Sequence, residues 1–290
     1  MTSKPWLLFV LLLILSYYTS CFSVAGDTLS AGQSLSVGDT LLSQGSKFEL
    51  GFFSPGSSLK FYLGIWYKFY LDESYKNFNE KNAVWVANRE NPLSDPSSLR
   101  LNLSEDGNLL LFGSSSNIPF WSTNLTFTGS NLTEAVLRDD GNFVLRDRSN
   151  PSTIFWESFD HPTDTWLPGA KLGIDKVTGK PKQLISWKNK EDPAPGVFSF
   201  GLDPNGSNQY FLEWNRSQIY WSSGVWNGKT QNFAFVPELT SNVLVLNFSF
   251  VSNENETYFT YYLYDPSYRS KFAMKSTGNI QLLAWLSGPL

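Results

Sequence analysis

Apolar residues in this chain recur with a period of two far more than with one of 3.6. Leu99, Leu101 and Leu103 alternate with polar residues, as do Phe143 and Leu145, which is the pattern of a strand buried on one face. No window of helical length carries a clean apolar stripe. The runs 243–251 (VLVLNFSFV) and 257–264 (TYFTYYLY) flank the polar stretch Ser252–Glu256 and predict a long hairpin. One apolar run is different in kind. Trp6 to Leu15 follows Lys4 without interruption and ends at Ser16, Thr19 and Ser20. A membrane-spanning helix needs about 20 such residues, so this run reads as the core of a signal peptide. Ser23 and Ala25 are the small residues expected before a cut ahead of Gly26. Residues 1–25 are therefore read as a signal peptide, and the product as secreted or extracellular.

The strand pattern also repeats on a longer scale. The stretch from Leu99 to Trp121 (LRLNLSEDGNLLLF…PFW) is echoed by 135–156 (AVLRDDGNFVLRD…IFW). Asp106-Gly107-Asn108 and Asp140-Gly141-Asn142 lie 34 residues apart, and Trp121 and Trp156 lie 35 apart. Fainter copies run from Asp203 to Trp221 and from Gly278-Asn279 to Trp285. Each copy reads as a strand, a turn, a return strand and then a Trp. One such unit cannot bury its apolar face alone, so several must pack around shared aromatics. An all-β prism or barrel of small sheets follows.

Composition narrows the chemistry. The 290 residues suggest two domains, and 16% aromatic against 17% charged residues is the reverse of a disordered composition. A net charge of -4 argues against a nucleic-acid binder, which needs a basic face. Cys21, inside the leader, is the only cysteine, so neither disulfides nor thiolate sites are expected in the mature chain. Seven Asn-x-Ser/Thr sequons, at Asn102, Asn124, Asn131, Asn205, Asn215, Asn247 and Asn255, predict N-glycosylation at several surface positions.

The repeat units resemble those of bulb-type (monocot mannose-binding) lectins, and the text around them resembles the plant S-locus glycoproteins and S-domain receptor-like kinases. The stretches that carry the second resemblance are FELGFFSPG (48–56), LGIWY (63–67), VWVANRENPL (84–93), FWESFDHPTDTWLPGAKLG (155–173), SWKNKEDPAPGVFSF (186–200) and YWSSGVWNGK (220–229). They cover nearly all of 26–290 in the family's order. The resemblance implies two tandem bulb-lectin-like β-prism domains, a lectin domain at 26–150 and an S-locus glycoprotein domain at 151–290. It also implies that EGF-like, PAN, transmembrane and kinase regions of longer relatives would follow Trp285. Expected partners are an extracellular peptide or glycan, and a second S-domain chain in a homo- or heterodimer. Neither nucleic acid nor a cofactor is expected.

The lectin sugar motif is Gln-x-Asp-x-Asn-x-Val-x-Tyr. It falls on Ser104, Asp106, Asn108, Leu110 and Phe112 in one unit, and on Arg138, Asp140, Asn142, Val144 and Arg146 in the next. In the full motif Asp accepts from a mannose hydroxyl, Asn and Gln both donate and accept, Val packs on the ring and Tyr donates. Both units lack the Gln and the Tyr. Losing two polar partners, at about 0.5–1.5 kcal/mol each, weakens a shallow sugar site tenfold or more. The candidate carbohydrate contacts are Asp140, Asn142, Val144 and Arg138, with Asp106 and Asn108 behind them. Arg138 and Arg146 would favour an acidic glycan. The competing reading of Asp-Gly-Asn is hairpin-turn chemistry, and that of Trp85, Trp121 and Trp156 is a shared core.

Other chemistry finds little support. His161 is the only histidine, so a multi-histidine metal site is impossible, and no nucleophile elbow accompanies it. Glu157 and Asp160 are a formal carboxylate pair for glycoside hydrolysis, but sequence does not set the 5–9 Å gap that the reaction needs. No catalytic or metal-binding residue is expected. Three functions remain in order: an extracellular recognition module of cell-surface signalling such as pollen recognition, a mannose-binding lectin working through the second unit, and a secreted glycoside hydrolase. The polar stretches 69–82 and 229–242 are the expected recognition loops.

Overall fold

The computed structural model describes residues 26–68, 83–113, 118–126, 132–230, 232–236 and 246–286. The leader, the stretch 69–82, half of 229–242 and Asn131 lie outside the described residues.

The first three strands, within residues 28–42, distribute themselves over three sheets. Strands β1 (Thr28–Ser30), β2 (Ser34–Ser36) and β3 (Thr40–Leu42) are three residues each, and each becomes the edge of a different four-stranded antiparallel sheet. β3 joins β4 (Phe48–Phe53), β5 (Tyr62–Tyr67) and β6 (Ala83–Val86). β2 joins β7 (Arg100–Leu103), β8 (Leu109–Phe112) and β9 (Trp121–Ser122). β1 joins β10 (Thr133–Leu137), β11 (Phe143–Asp147) and β12 (Ile154–Glu157). The central leucine of each short strand (Leu29, Leu35 and Leu41) points inward and is buried. Those leucines join Leu50, Ile65, Leu101, Leu109, Leu137, Phe143 and Leu145 in one core.

The second half repeats the plan. β13 (Thr165–Trp166), β14 (Leu172–Asp175), β15 (Pro181–Lys182) and β16 (Leu184–Asn189) again feed three sheets in turn. β16 continues into β17 (Asp192–Leu202), β18 (Tyr210–Trp214) and β19 (Gln218–Ser222). A two-stranded ribbon follows, β20 (Trp226–Asn227) and β21 (Asn232–Phe233). β15 pairs with β14, and β14 pairs with β23 (Glu256–Leu263) of the hairpin it forms with β22 (Leu246–Ser252), whose register Ser252↔Thr257 is that of the hairpin expected around 252–256. β13 pairs with β24 (Tyr268–Met274), which pairs with β25 (Ile280–Leu286). This core is aromatic where the first is aliphatic: Trp166, Tyr210, Phe233, Phe259 and Tyr261 pack at centroid distances near 5–6 Å. Its buried phenols find backbone acceptors, Tyr210 on Leu172 and Tyr261 on Trp166. Among the described residues the fold is all-β apart from single 3-10 turns at Pro96–Ser98 and Ser158–Asp160.

β5 and β6 are buried on both faces, which marks them as the contact with the second half. Phe53, Tyr62, Trp66, Ala83 and Val86 form a small cluster against Trp187. Polar groups then fix the orientation. Buried Arg89 donates to the carbonyls of Pro193, Ile185 and Ser186, at 2.6, 3.0 and 2.9 Å. The Tyr67 hydroxyl donates to Ser270 O at 2.9 Å, and Arg269 Nη1 donates to Lys47 O and Lys68 O. Trp285, at the end of the last repeat copy, packs edge-on against Tyr67 at 4.9 Å rather than on its own half.

Candidate functional site

Three of the repeat copies close with the same turn. In Ser104–Asn108, Arg138–Asn142 and Lys275–Asn279, the first residue's N–H donates to the fifth residue's carbonyl at 2.9 Å, and the glycine N–H returns to the first carbonyl at 3.0 Å. Gly107, Gly141 and Gly278 have φ of 84°, 86° and 86°, which L-residues rarely adopt, so the glycine is required. In the first two turns the Asp carboxylate accepts the Asn backbone N–H, at 3.1 Å for Asp106 and 2.9 Å for Asp140. The Ser104 hydroxyl and the Asn108 amide together hold the Asp106 carboxyl below the usual carboxylate range.

The asparagine side chains serve the scaffold. Asn108 Oδ1 accepts from Thr123 Oγ1 (2.9 Å) and Leu125 N (2.7 Å), and its Nδ2 donates to Leu125 O. Asn142 Oδ1 accepts from Ser158 Oγ (3.1 Å) and Phe159 N (3.2 Å), while Nδ2 donates to Glu157 Oε2 at 2.8 Å. Each staples the turn to the chain leaving the fourth strand of its sheet, β9 or β12. Val144 is 1% exposed and presents no surface to a sugar; Asn142 is 2% exposed and borders the cavity described below with its amide already committed to the scaffold. In the first unit Phe112 lies under the Arg100 guanidinium at 5.5 Å. Arg146 is paired with Glu134 at 2.8 Å.

In the first unit Asp106 is exposed, and in the second two motif side chains face solvent. Arg138 and Asp140 form an ion pair at 3.2 Å, with side chains 46% and 34% exposed. They stand on the wall of a cavity of about 490 Å³ between the two halves of the molecule. Lys47 and Glu157 share that wall, and Lys171, Tyr262 and Tyr268 face it from the second half. Neighbouring Asp139 braces the turn by accepting the Gly45 N–H on both carboxylate oxygens. Lys171 is held by Glu256 at 2.8 and 2.9 Å and lies over the Tyr258 ring. Tyr262 is 53% exposed, with its ring beside Gly169. An aromatic face opposite a carboxylate and a guanidinium, in a cavity of this size, has the elements of a saccharide site. Tyr262 and Tyr268 lie about 120 residues from the motif, and only the contact between the halves brings them to it.

The tryptophans form a core. Trp85, Trp121 and Trp156, one from each sheet of the first half, meet edge-to-face at centroid distances of 6.2, 5.9 and 6.0 Å. His161 stacks on Trp156 at 5.3 Å, and its carbonyl accepts from Trp85 Nε1. Loss of water around the imidazole lowers its pKa. The formal carboxylate pair is engaged on both sides: Glu157 accepts from Asn142, and Asp160 is ion-paired with Lys182. Among the described residues no cluster of three His, Cys, Asp or Glu could hold a metal ion, and no helix is long and apolar enough to cross a membrane.

Two family profiles match this chain, as do curated relatives and solved structures. The profile of D-mannose binding lectin domains matches residues 82–188, and that of S-locus glycoprotein domains matches residues 221–289. A G-type lectin S-receptor-like serine/threonine-protein kinase of Arabidopsis thaliana is 44% identical over 96% of this chain and 33% of its own length. The S-locus-specific glycoprotein S6 of Brassica oleracea is 40% identical over 94% of this chain and 60% of its own. The chain thus spans about a third of the kinase and less than two thirds of the glycoprotein. Among solved structures, a monomeric monocot mannose-binding lectin of Gastrodia elata matches 46% of this chain and 96% of its own at 23% identity and a TM-score of 0.32. The two-domain Scilla campanulata agglutinin matches 91% of this chain and 97% of its own at 15% identity and a TM-score of 0.29.

Proposed function

Since the chain carries a bulb-type lectin domain followed by an S-locus glycoprotein domain and is homologous along nearly its whole length to S-domain receptor kinases and S-locus glycoproteins, we propose that it is an extracellular carbohydrate-recognition module. Its ligand site is the cavity between the halves. The observation that carries the reading is the meeting, in one cavity, of exposed Arg138 and Asp140 with Tyr262 and Tyr268. Asp140 and Arg138 bind hydroxyls, an aromatic face stacks on the pyranose, and Asn142 holds the turn without touching sugar. We place the boundary between the two domains after β12, because β12 pairs with β11 and so belongs to the first set of sheets. Recognition of pollen-borne or other extracellular signals, and pairing with a second S-domain chain, are the roles in which such a module would act.

Calorimetric titration of mannose and oligomannosides into the glycosylated protein tests the site. Saturable heat that is lost in both Asp140→Ala and Tyr262→Ala, with folding intact, is the expected result. Binding that survives both variants places the sugar elsewhere. Silence at millimolar sugar removes the mannose reading and turns the search to peptide or receptor partners.

A further inference from the structure

A second cavity, of about 570 Å³, meets the proposed ligand site only at Asp160 and is otherwise lined by different residues. Trp121, Trp156 and His161 give it an aromatic wall, and Asn91, Gln183 and Asn124 stand among its polar lining. None of those three side-chain amides has a hydrogen-bond partner among the described residues, whereas Asn88 beside them is fully used by Phe61, Leu63 and Asn91. Its size and its mix of aromatic wall and free amides are those of a small-ligand pocket. Asn124 is also the acceptor of the sequon Asn124-Leu125-Thr126, and both Asn124 and Thr126 are exposed.

The described sequons differ in what their asparagines are doing. Asn102 lies within β7 with its Oδ1 buried, and the Asn205 amide donates to Asp203 at 3.1 Å. Asn215, Asn247 and Asn255 are exposed, but none of them lines this cavity. Asn124 combines an exposed, unpartnered amide with a place on the rim. We propose that a glycan on Asn124 folds back into the cavity, its proximal N-acetylglucosamine packed on the Trp121–His161 wall. The apolar face and acetyl methyl of that sugar suit an indole, and its amide can bond Asn91 or Gln183. A sugar tethered at the rim is present at an effective concentration on the order of millimolar, so it outcompetes a weakly binding free saccharide. On this view the cavity is an internal glycan seat that covers the tryptophan core.

His161 makes this testable because it is the only histidine in the chain. The protein is secreted from eukaryotic cells with a histidine-free tag, and Asn124 occupancy is read by glycopeptide mass spectrometry. The rate of diethylpyrocarbonate modification of His161 is then compared between wild type, Thr126→Ala and Asn215→Gln. Thr126→Ala removes the glycan but keeps Asn124. At least fivefold faster modification in Thr126→Ala, with Asn215→Gln at the wild-type rate, is expected. Trimming the glycan to its single proximal sugar should keep the rate slow. An unoccupied Asn124, a rate in Thr126→Ala within twofold of wild type, or protection of the occupied protein by added free chitobiose would each overturn the proposal. Asp140 and Tyr262 line only the first cavity and Asn124 and His161 only the second, so this result and the titration fail independently.

Discussion

Replacing Asn142 with alanine separates scaffold from ligand contact within one motif. The substitution removes three side-chain hydrogen bonds and leaves the Phe159 N–H and the Ser158 hydroxyl without their shared acceptor. Net bonds are worth about 1 kcal/mol each, and a bond whose loss strands a buried donor costs about 1–3 kcal/mol. One bond of the first kind and two of the second give an expected loss of about 3–7 kcal/mol, or roughly 10 °C or more in the melting temperature of a unit this size. Asp140→Ala breaks only an exposed ion pair and one turn contact, so about 1 kcal/mol is expected. Asn142→Asp is the sharper probe. It preserves the acceptor for Ser158 and Phe159 but sets a carboxylate against Glu157, so its deficit should shrink as pH falls and either group protonates. Differential scanning calorimetry on the three variants, read at neutral and acidic pH, measures all of this. An Asn142→Ala melting point within 2 °C of wild type, or an Asp140→Ala loss as large, would refute the assignment of Asn142 to the scaffold.

Other outcomes follow from the same geometry. Gly141→Ala should cost more than Gly206→Ala although both have φ above 80°, because a Cβ at 141 meets Leu167 and Phe48 at 2.7–2.8 Å while 206 is open; denaturant midpoints compare them. Burial lowers the Lys271 amine to about 8, with Asp164 opposing the shift, so the unfolded chain holds that proton more tightly. Stability should thus be depressed below pH 8 and rise by about 3 kcal/mol at most toward pH 10.5, a rise absent in Lys271→Met. Above pH 10 the sign reverses. Tyr62, Tyr67, Tyr210 and Tyr261 are raised by burial, so the unfolded chain ionises first; absorbance at 295 nm should show them titrating only as the protein unfolds.

Much of the architecture was legible because it is local. The Asp-Gly-Asn turns, the alternation in β7 and β11 and the hairpin at 246–263 are each decided by residues within a few positions of one another. The spacing of Leu29, Leu35 and Leu41 was also a signal, three leucines six residues apart, but strands of three residues are too short for an alternation test. Burial of Val144 was not legible: alternation puts it opposite Phe143 and Leu145, yet β11 is covered on both faces. The two roles open to Asn142, sugar ligand or staple, look identical in sequence because the same amide chemistry serves both. The cleft could not be read at all, since Tyr262 and Tyr268 reach Asp140 only through contacts made by Arg89, Tyr67 and Arg269 between the halves.

The threading of residues 28–42 through three sheets sets a timetable for synthesis. β3 finds its partner as soon as 48–53 has left the ribosome, β2 waits for 100–103, and β1 waits for 133–137. The amino-terminal ribbon must therefore clasp from its inner end outward, and its first three residues act as a latch that shuts only when the third sheet of the first half forms. Long-range closure of this kind is slow and leaves an unpaired edge in the nascent chain. Stalled chains ending just before residue 133 should be clipped by protease near Thr28, and those extended past 157 plus the length of the exit tunnel should not.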